Sequence, residues 1–313
     1  MIAPARAQRP GAASFAVDEE SVRDRAGCPF CEGRESATPP ETFALAAPGR
    51  AADSPGWRIR VVPNKFPAFG PWPASPRQDG LLARAPALGR QEVVVHTPRH
   101  VRSFAELAGR EISAVAEAWR ERARAAREGG FGYVQALLNE GRAAGASLTH
   151  SHSQLVWLAD VPPAVRGELL EAGKNPCRLC LLLAEERRRR ARIVLERDGL
   201  VLLCPYASRQ PYELLLAPLT CERDAYASQT LPAALELLRE ALGRLHAAEG
   251  MVPVNAWLHT SAFAGPALHW HLEVVPRICV LAGLELGAEL YVNTLPPEEA
   301  AGVLREAGVL REA

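Results

Sequence analysis

The chain has 313 residues, of which 48% are hydrophobic and 23% charged, so it can bury one large core or two modules of ordinary size. Its 36 basic and 36 acidic residues cancel, and a chain without excess positive charge is a poor partner for nucleic acid. No run approaches the roughly 18 apolar residues of a membrane span, and the amino-terminal stretch lacks the apolar core of a signal peptide. We therefore expect a cytoplasmic globular protein that binds neither nucleic acid nor membrane.

Periodicity and turn residues outline two halves of similar organisation. Each half has four short segments of strand character, with one helix between the second and the third. This pattern favours the α+β class, with a mainly antiparallel sheet and helices on one side in each half. We predict two tandem modules, residues 1–165 and 166–313, joined by a linker near Pro162 and Pro163. The predicted strands are 59–63, 92–96, 133–138, 155–158, 201–204, 213–217, 254–259 and 271–276, and the predicted helices are 104–127 and 232–248.

Repeated motifs support this division. Three motifs of the first half recur in the same order in the second, and the spacing is nearly constant for the last two, as in a duplicated module. The additional residues of the first half lie mostly in a Pro- and Gly-rich stretch, 70–90, which predicts a long loop. The matched pairs are Cys28-Pro-Phe-Cys31 with Cys177-Arg-Leu-Cys180, segment 91–100 with 212–221, and His150-Ser-His152-Ser-Gln154 with His269-Trp-His271-Leu-Glu273.

The first His-x-His-x-Gln motif is the most informative stretch of the chain. It begins an apolar run that predicts a strand, and alternate strand positions share a face, so His150, His152 and Gln154 point the same way. Asn139 and a Gly- and Ser-containing loop precede it. This order of residues resembles the active-site signature of the histidine-triad superfamily and, within it, the galactose-1-phosphate uridylyltransferase family. The resemblance extends over about residues 28–305 and implies two histidine-triad-like modules.

Two Cys-x-x-Cys pairs predict metal sites, because such pairs in a reducing compartment more often hold a metal than form disulfides. Cys28 and Cys31 offer two thiolates from one tight turn, as tetrahedral zinc requires of a short segment. His100 and His150 are the candidates for the remaining ligands, and both match ligand positions in the family resembled. Four protein ligands close such a site, so we expect it to be structural.

A second zinc site is expected if the repeat is real. In the best-known uridylyltransferases the second metal site is built from histidines and a carboxylate, so a set that uses His259, His269 and His271 is the alternative here. The preference of zinc for soft thiolates favours the cysteines. The second-half counterparts of the four ligand positions are Cys177, Cys180, Cys221 and His269.

The remaining histidine of the motif is the candidate nucleophile. Imidazole, with a pKa of about 6.5, is basic enough to attack phosphorus and largely neutral at working pH. His152 is preferred because His150 is assigned to metal. Gln154 can hydrogen-bond the non-bridging phosphate oxygens. Backbone N–H groups near Gly145 and Ser147 can stabilise the negative charge that develops in the transition state. The resemblance assigns the same roles.

Substrate contacts are implied by the resemblance alone. It places Asn64 and Lys65 at the ribose and Phe30 against the base, although many family members carry an acid where Lys65 stands. It places Asn139 in the site, and a carboxy-terminal segment with Glu285 and Tyr291 at the hexose. The family also builds each active site where two subunits meet, which implies a homodimer.

The leading hypothesis is a nucleotidyltransferase that moves a nucleoside monophosphate between a nucleotide sugar and a hexose 1-phosphate through a covalent histidine intermediate, in the manner of a uridylyltransferase. The alternative is a nucleotide-sugar phosphorylase that resembles the ADP-glucose phosphorylase branch and uses inorganic phosphate as acceptor. Ser151 supports it, because the classical transferases have Pro between the two histidines. A nucleotide-binding module without turnover is a different class, but such a module has no need of a nucleophile. A histidine-triad hydrolase is a further possibility, although those proteins are usually single modules.

Overall fold

The computed structural model describes residues 2, 22–70, 77–172 and 177–312. The predicted start of the first module, the end of the second, and part of the predicted 70–90 loop lie outside these residues. Within them, no helix is long and apolar enough to cross a membrane.

One antiparallel sheet of ten strands forms the centre of the molecule, and a separate hairpin, β3 and β4, stands apart from it. The strands are β1 (Phe43–Ala46), β2 (Trp57–Pro63), β3 (Arg77–Asp79), β4 (Leu82–Arg84), β5 (Gly89–Val95), β6 (Tyr133–Glu140), β7 (His152–Leu158), β8 (Ile193–Arg197), β9 (Leu200–Leu203), β10 (Leu214–Pro218), β11 (Val254–His259) and β12 (His271–Pro276). Their order in the large sheet is β1-β2-β5-β7-β6-β11-β12-β10-β9-β8.

Seven α-helices accompany the sheet in the described residues. They are α1 (Val22–Gly27), α2 (Gly109–Glu128), α3 (Pro163–Ala172), α4 (Arg178–Arg189), α5 (Leu231–Glu249), α6 (Gly283–Ala288) and α7 (Pro297–Glu312). Helix α2 contacts β2, β6 and β7, whereas α5 contacts β9 and β10, so each long helix covers its own half of the sheet. The chain is therefore of the predicted α+β class.

The two faces of the sheet have different roles, because successive side chains of a strand point to opposite sides. Leu155 and Trp157 of β7 are buried in the main hydrophobic core with residues of α2 and α5. Ser153 is on that side too, where its hydroxyl accepts a hydrogen bond of 3.0 Å from Trp119 Nε1 of α2. His152 and Gln154 alternate with these residues and lie on the opposite side, which we call the site face.

The strand order supports the predicted repeat. Five strands of the first half run from β1 to β6 and five of the second from β11 to β8, and the halves join where β6 pairs with β11. Equivalent histidines also make equivalent bonds: His150 Nε2 donates to the Thr97 carbonyl and His269 Nε2 to the Pro218 carbonyl, each at 2.9 Å. We propose on these grounds that the halves are tandem modules that share one sheet.

Helix α3 begins at Pro163, so the predicted linker near Pro162 and Pro163 meets the start of this helix. Proline is well tolerated in the first turn of a helix, where its missing N–H has no partner to lose. Val165 of α3 packs with Tyr133 of the first half and Leu268 of the second, so a packed helix connects the halves. The proposed boundary at residue 165 falls inside this helix.

Candidate active site

The four residues predicted for the first metal site lie together. The Cys28 and Cys31 sulfurs are 3.5 and 3.7 Å from His150 Nδ1, and the Cys31 sulfur is 3.2 Å from His100 Nδ1. All four potential ligand atoms lie within 4.8 Å of one another. Because His150 Nε2 donates to the Thr97 carbonyl, its Nδ1 lone pair faces the thiols. Burial raises the pKa of the Cys28 thiol to about 11, so a thiolate there needs a cation beside it.

The second cysteine set is also assembled. The Cys180 and Cys177 sulfurs are 3.4 and 3.9 Å from His269 Nδ1, and Cys221 completes a group whose ligand atoms lie within 4.8 Å of one another. The bond from His269 Nε2 to the Pro218 carbonyl again leaves the Nδ1 lone pair to the sulfurs. The donors of both sets therefore fit a zinc ion.

The histidines of the alternative metal set are divided between two places. His269 faces the cysteines, whereas His259 and His271 form a third group with Glu168 and Glu273, again with ligand atoms within 4.8 Å. His259 Nδ1 is 2.8 Å from Glu168, and Arg209 pairs with Glu273. Burial would raise the pKa of Glu273, but its bond to His271 and the charge of Arg209 lower that pKa to about 2. This group can bind a cation. Its two carboxylates also pair with basic side chains, Glu168 with His259 and Glu273 with Arg209.

His152 has the properties of a nucleophile. Its Nδ1 is 2.7 Å from the His150 carbonyl oxygen, which requires a proton on Nδ1 and leaves the lone pair on Nε2. Burial lowers the pKa of His152 below its ordinary value of 6.5, although the bond to His150 opposes this shift. The imidazole is therefore neutral at neutral pH. The Phe30 ring packs edge-on at 5.2 Å from the His152 ring.

Gln154 follows His152 on the site face. Its Oε1 accepts a hydrogen bond of 2.6 Å from Gln91 Nε2 on the neighbouring strand β5. Its Nε2 has no hydrogen-bond partner in the described part of the chain. The carboxamide therefore presents its donor end to a ligand on the site face.

The loop before β7 meets the second half of the same chain. Leu138 of β6 pairs with Ser153 of β7, so Asn139 and His152 follow at adjoining strand ends. Asn139 Oδ1 accepts from Asn255 Nδ2 of β11, which also donates to the Ala144 carbonyl, both at 2.8 Å. Gly145 adopts a positive φ of 87°, a conformation that favours glycine. Ser147 is exposed in the same loop.

The predicted ribose contacts lie in a turn after β2. Asn64 Oδ1 accepts from the Phe66 backbone N–H at 2.9 Å, so this side chain stabilises its own turn. Lys65 is exposed, and the Phe66 ring is 84% exposed. The turn is tied to the sheet because the Asn64 N–H donates to the Gln91 carbonyl at 2.8 Å.

The predicted hexose contacts lie in the second half, beyond β12. The Glu285 carboxylate accepts from the Ala282 N–H at 2.9 Å and so caps helix α6. Tyr291 is half-buried in the segment that follows this helix. Both residues therefore belong to the second half of the chain, whereas His152 begins β7 in the first half.

Sequence reasoning missed three residues that support the site. Besides Gln91 and Asn255, His96 is fully buried and its Nδ1 lies 2.9 Å from the hydroxyl of Ser151, the residue between the two motif histidines. Each makes a side-chain contact to a residue that is distant in sequence. Asn255 is a polar residue in a mostly apolar strand, whereas Gln91 lies between Arg90 and Glu92, where the sequence gives no signal of its role.

Comparison with known proteins agrees with this geometry. The family model described as galactose-1-phosphate uridyl transferase, N-terminal domain, matches residues 57–163, and one described as a domain of unknown function, DUF4921, matches 111–311. ADP-glucose phosphorylase of Arabidopsis thaliana is 29% identical over 99% of this chain and 90% of its own length. Galactose-1-phosphate uridylyltransferase of Thermotoga maritima is 25% identical over 90% of each chain.

The chain belongs to the DUF4921 family, whose model matches most of it, and over about 90% of its length it is similar to galactose-1-phosphate uridylyltransferase. Solved structures of similar proteins have the same fold. The crystal structure of the A. thaliana ADP-glucose phosphorylase with bound ADP-glucose has a TM-score of 0.77, with 28% identity, over 97% of this chain and 94% of that one. A structure of uridylyltransferase has a TM-score of 0.78, with 27% identity, over 97% and 98%. These similarities support an enzyme of nucleotidyltransferase type.

Proposed function

We propose that the enzyme transfers a nucleoside monophosphate from a nucleotide sugar to a phosphate-bearing acceptor through a covalent bond to His152. The observation that carries this proposal is the 2.7 Å bond between His152 Nδ1 and the His150 carbonyl, which leaves the Nε2 lone pair available. A buried imidazole that is neutral at working pH can attack phosphorus without first losing a proton.

The reaction takes place in two steps. In the first, the Nε2 lone pair of His152 forms an N–P bond to the α-phosphorus, and the bond from this phosphorus to the bridging oxygen breaks, so that the sugar 1-phosphate leaves with the electron pair. In the second, an acceptor phosphate oxygen attacks the same phosphorus. The N–P bond then breaks and Nε2 regains its lone pair. Dividing one transfer into two easier steps is the benefit of covalent catalysis.

The neighbours of His152 have distinct roles in these steps. The Gln154 NH2 group donates to the non-bridging oxygens of the α-phosphate, on which negative charge accumulates in the transition state. The loop amides near Gly145 and Ser147 add further donors, and Asn255 holds this loop through its bond to the Ala144 carbonyl. Phe30, Asn64, Lys65 and Asn139 are the proposed nucleotide contacts.

Two acceptors fit this chemistry. A hexose 1-phosphate would regenerate a nucleotide sugar, as the name of the uridylyltransferase relatives implies, whereas inorganic phosphate would release a nucleoside diphosphate. The similarity to ADP-glucose phosphorylase over nearly the whole chain, together with Ser151 between the two histidines, favours inorganic phosphate and ADP-glucose as the second candidate activity.

We also propose that each cysteine set holds one structural zinc ion. In the first module, zinc would join the amino-terminal turn of Cys28 and Cys31 to His100 and His150. In the second, Cys177, Cys180, Cys221 and His269 would hold the other. A tetrahedral zinc with four protein ligands supplies cross-linking rather than chemistry.

Covalent capture tests the proposal and identifies the base. The protein is mixed separately with UDP-glucose and ADP-glucose, each radiolabelled in the α-phosphate, without an acceptor, and the protein is then separated and counted. We expect label on the protein with one of the two. Addition of inorganic phosphate or of galactose 1-phosphate then shows which acceptor removes it. The absence of label with both nucleotides would reject the covalent mechanism.

A further inference from the structure

Three hydrogen bonds connect Gln91 to two separate parts of the site. Gln91 Oε1 accepts from the Ala68 backbone N–H at 2.9 Å, and Gln91 Nε2 donates to Gln154 Oε1 at 2.6 Å. The Gln91 carbonyl accepts from the Asn64 N–H at 2.8 Å. Gln91 therefore bridges the turn 64–68 and the catalytic strand β7.

These bonds determine which way each carboxamide faces. The two ends of a carboxamide are similar in size, so its orientation follows from the polarity of its neighbours. A backbone N–H can only donate, so the oxygen of Gln91 must face Ala68 and its NH2 group must face Gln154. That NH2 group can only donate in turn, so the oxygen of Gln154 faces Gln91.

We propose that Gln91 is a positioning residue that holds the NH2 group of Gln154 toward the phosphoryl oxygens of the substrate. Non-bridging phosphate oxygens only accept hydrogen bonds, so a Gln154 side chain turned by 180° would place its own oxygen against them. This inference rests on the proposed role of His152 and Gln154. It also links nucleotide binding to catalysis, because Ala68, which fixes Gln91, belongs to the turn proposed to meet the nucleotide.

Gln91→Glu tests this orientation directly. The two side chains have nearly the same shape, but a carboxylate accepts from Ala68 and also accepts from Gln154, which turns the Gln154 oxygen toward the substrate. Gln91→Leu removes both bonds and leaves Gln154 without a fixed orientation. Gln135→Glu is the matched control, because Gln135 and Gln91 both pair with Val156 from opposite sides, and the Gln135 amide donates to the Leu258 carbonyl instead.

The measurement is the single-turnover rate at which the α-phosphate label appears on the protein, with the urea stability of each variant measured in parallel. We expect a loss of about a hundredfold for Gln91→Glu, the usual effect of losing one transition-state donor, and a smaller loss for Gln91→Leu. Gln135→Glu should label close to the wild-type rate, because the Gln135 amide donates to the Ala136 and Leu258 carbonyls rather than to Gln154. Equal losses for Gln91→Glu and Gln135→Glu would overturn the proposal.

A double-mutant cycle separates orientation from simple charge repulsion. In a Gln154→Ala background, Gln91→Glu has no amide to turn, so it should cause little further loss, whereas repulsion of the phosphate by the new carboxylate would persist in full. An additive cycle would therefore reject the inference and leave the proposed function intact. If wild-type protein takes up no label from either nucleotide sugar, the proposed function fails and this inference fails with it.

Discussion

At the scale of single residues, the site depends on the tautomer of His152. The backbone carbonyl of His150 fixes the proton on Nδ1, and burial keeps the ring neutral, so the nucleophilic nitrogen is available without a separate base. His150 is used differently although it is only two residues away, because its Nδ1 faces two thiols. The roles proposed for these two neighbouring histidines therefore differ, with His150 as a metal ligand and His152 as the nucleophile.

Removal of the nucleophile tests this division. We expect His152→Gly to take up no covalent nucleotide and to lose several orders of magnitude in turnover, as other enzymes do without their nucleophile. Steady-state turnover and the amount of acid-labile, base-stable label on the protein, as expected for an N–P bond, are the measurements. Zinc content should be unchanged, because His150 is intact, and this serves as the check for correct folding. A near-normal rate in this variant would reject His152 as the nucleophile.

At the scale of elements, the two cysteine sets join segments that the sheet alone does not hold. Cys177 and Cys180 lie at the start of α4, Cys221 follows β10, and His269 precedes β12. The corresponding set in the first half joins the turn after α1 to the segments after β5 and before β7. A metal in each set would therefore fasten a peripheral segment to the strand that carries a His-x-His motif.

Metal analysis of a cysteine variant tests the second set. We expect about two zinc ions per chain in the wild-type protein, one for each four-ligand set, and about one in Cys177→Ser. Some catalysis should remain, because this set lies in the other half of the sheet from His152. Cys279→Ser is the matched control, since Cys279 belongs to none of the three groups in the described residues and its loss should leave the zinc count unchanged. Iron in place of the second zinc would instead favour the group of Glu168, His259, His271 and Glu273.

At the scale of the whole molecule, one continuous sheet places the second half beside the first. Asn255 of β11 reaches Asn139 and the loop before β7, so the second half supports the His152 site within the same chain. His271 and Glu273 occupy the positions that His152 and Gln154 occupy in the first half, but His271 Nε2 lies 3.7 Å from Glu168 and 3.8 Å from Glu273, and Arg209 pairs with Glu273. We propose that the second half has given up transfer chemistry for support and sugar binding.

Assembly is tested by mixing subunits. By the family resemblance, we propose a homodimer in which Glu285 and Tyr291 of one chain act on the sugar beside His152 of the other. Neither His152→Gly nor Glu285→Ala homodimers should then be active. On statistical mixing, about half of the dimers are mixed and each has one competent site, so activity should return to about a quarter of wild type. Exchange of subunits is verified with differently tagged chains, and exchange without recovery of activity would show that each chain works alone.

The sequence by itself determined the local and repeated features. Alternation with a period of two predicted most strands of the sheet to within a few residues, because each strand has one apolar face toward the helices. The Cys-x-x-Cys pairs and the two His-x-His motifs predicted six residues of the cysteine sets, and the family resemblance and the repeat added His100 and Cys221; all eight lie in the two expected groups. Motifs of this kind are short, so their geometry is largely fixed by the chain itself.

The tertiary structure decided what depends on contacts between distant segments. Pairing of β6 with β11 joins the halves in one sheet. Pro163 begins a helix where a linker was predicted, because Val165 of this helix packs against Tyr133 and Leu268. His269 groups with the cysteines rather than with His259 and His271, and the Pro218 carbonyl directs its Nδ1 lone pair to the sulfurs. The positioning role proposed for Gln91 depends on β5 lying beside β7 and on the Ala68 N–H donating to the Gln91 side-chain oxygen. Hydrogen-bond polarity of this kind depends on which groups meet in space, and no sequence period encodes it.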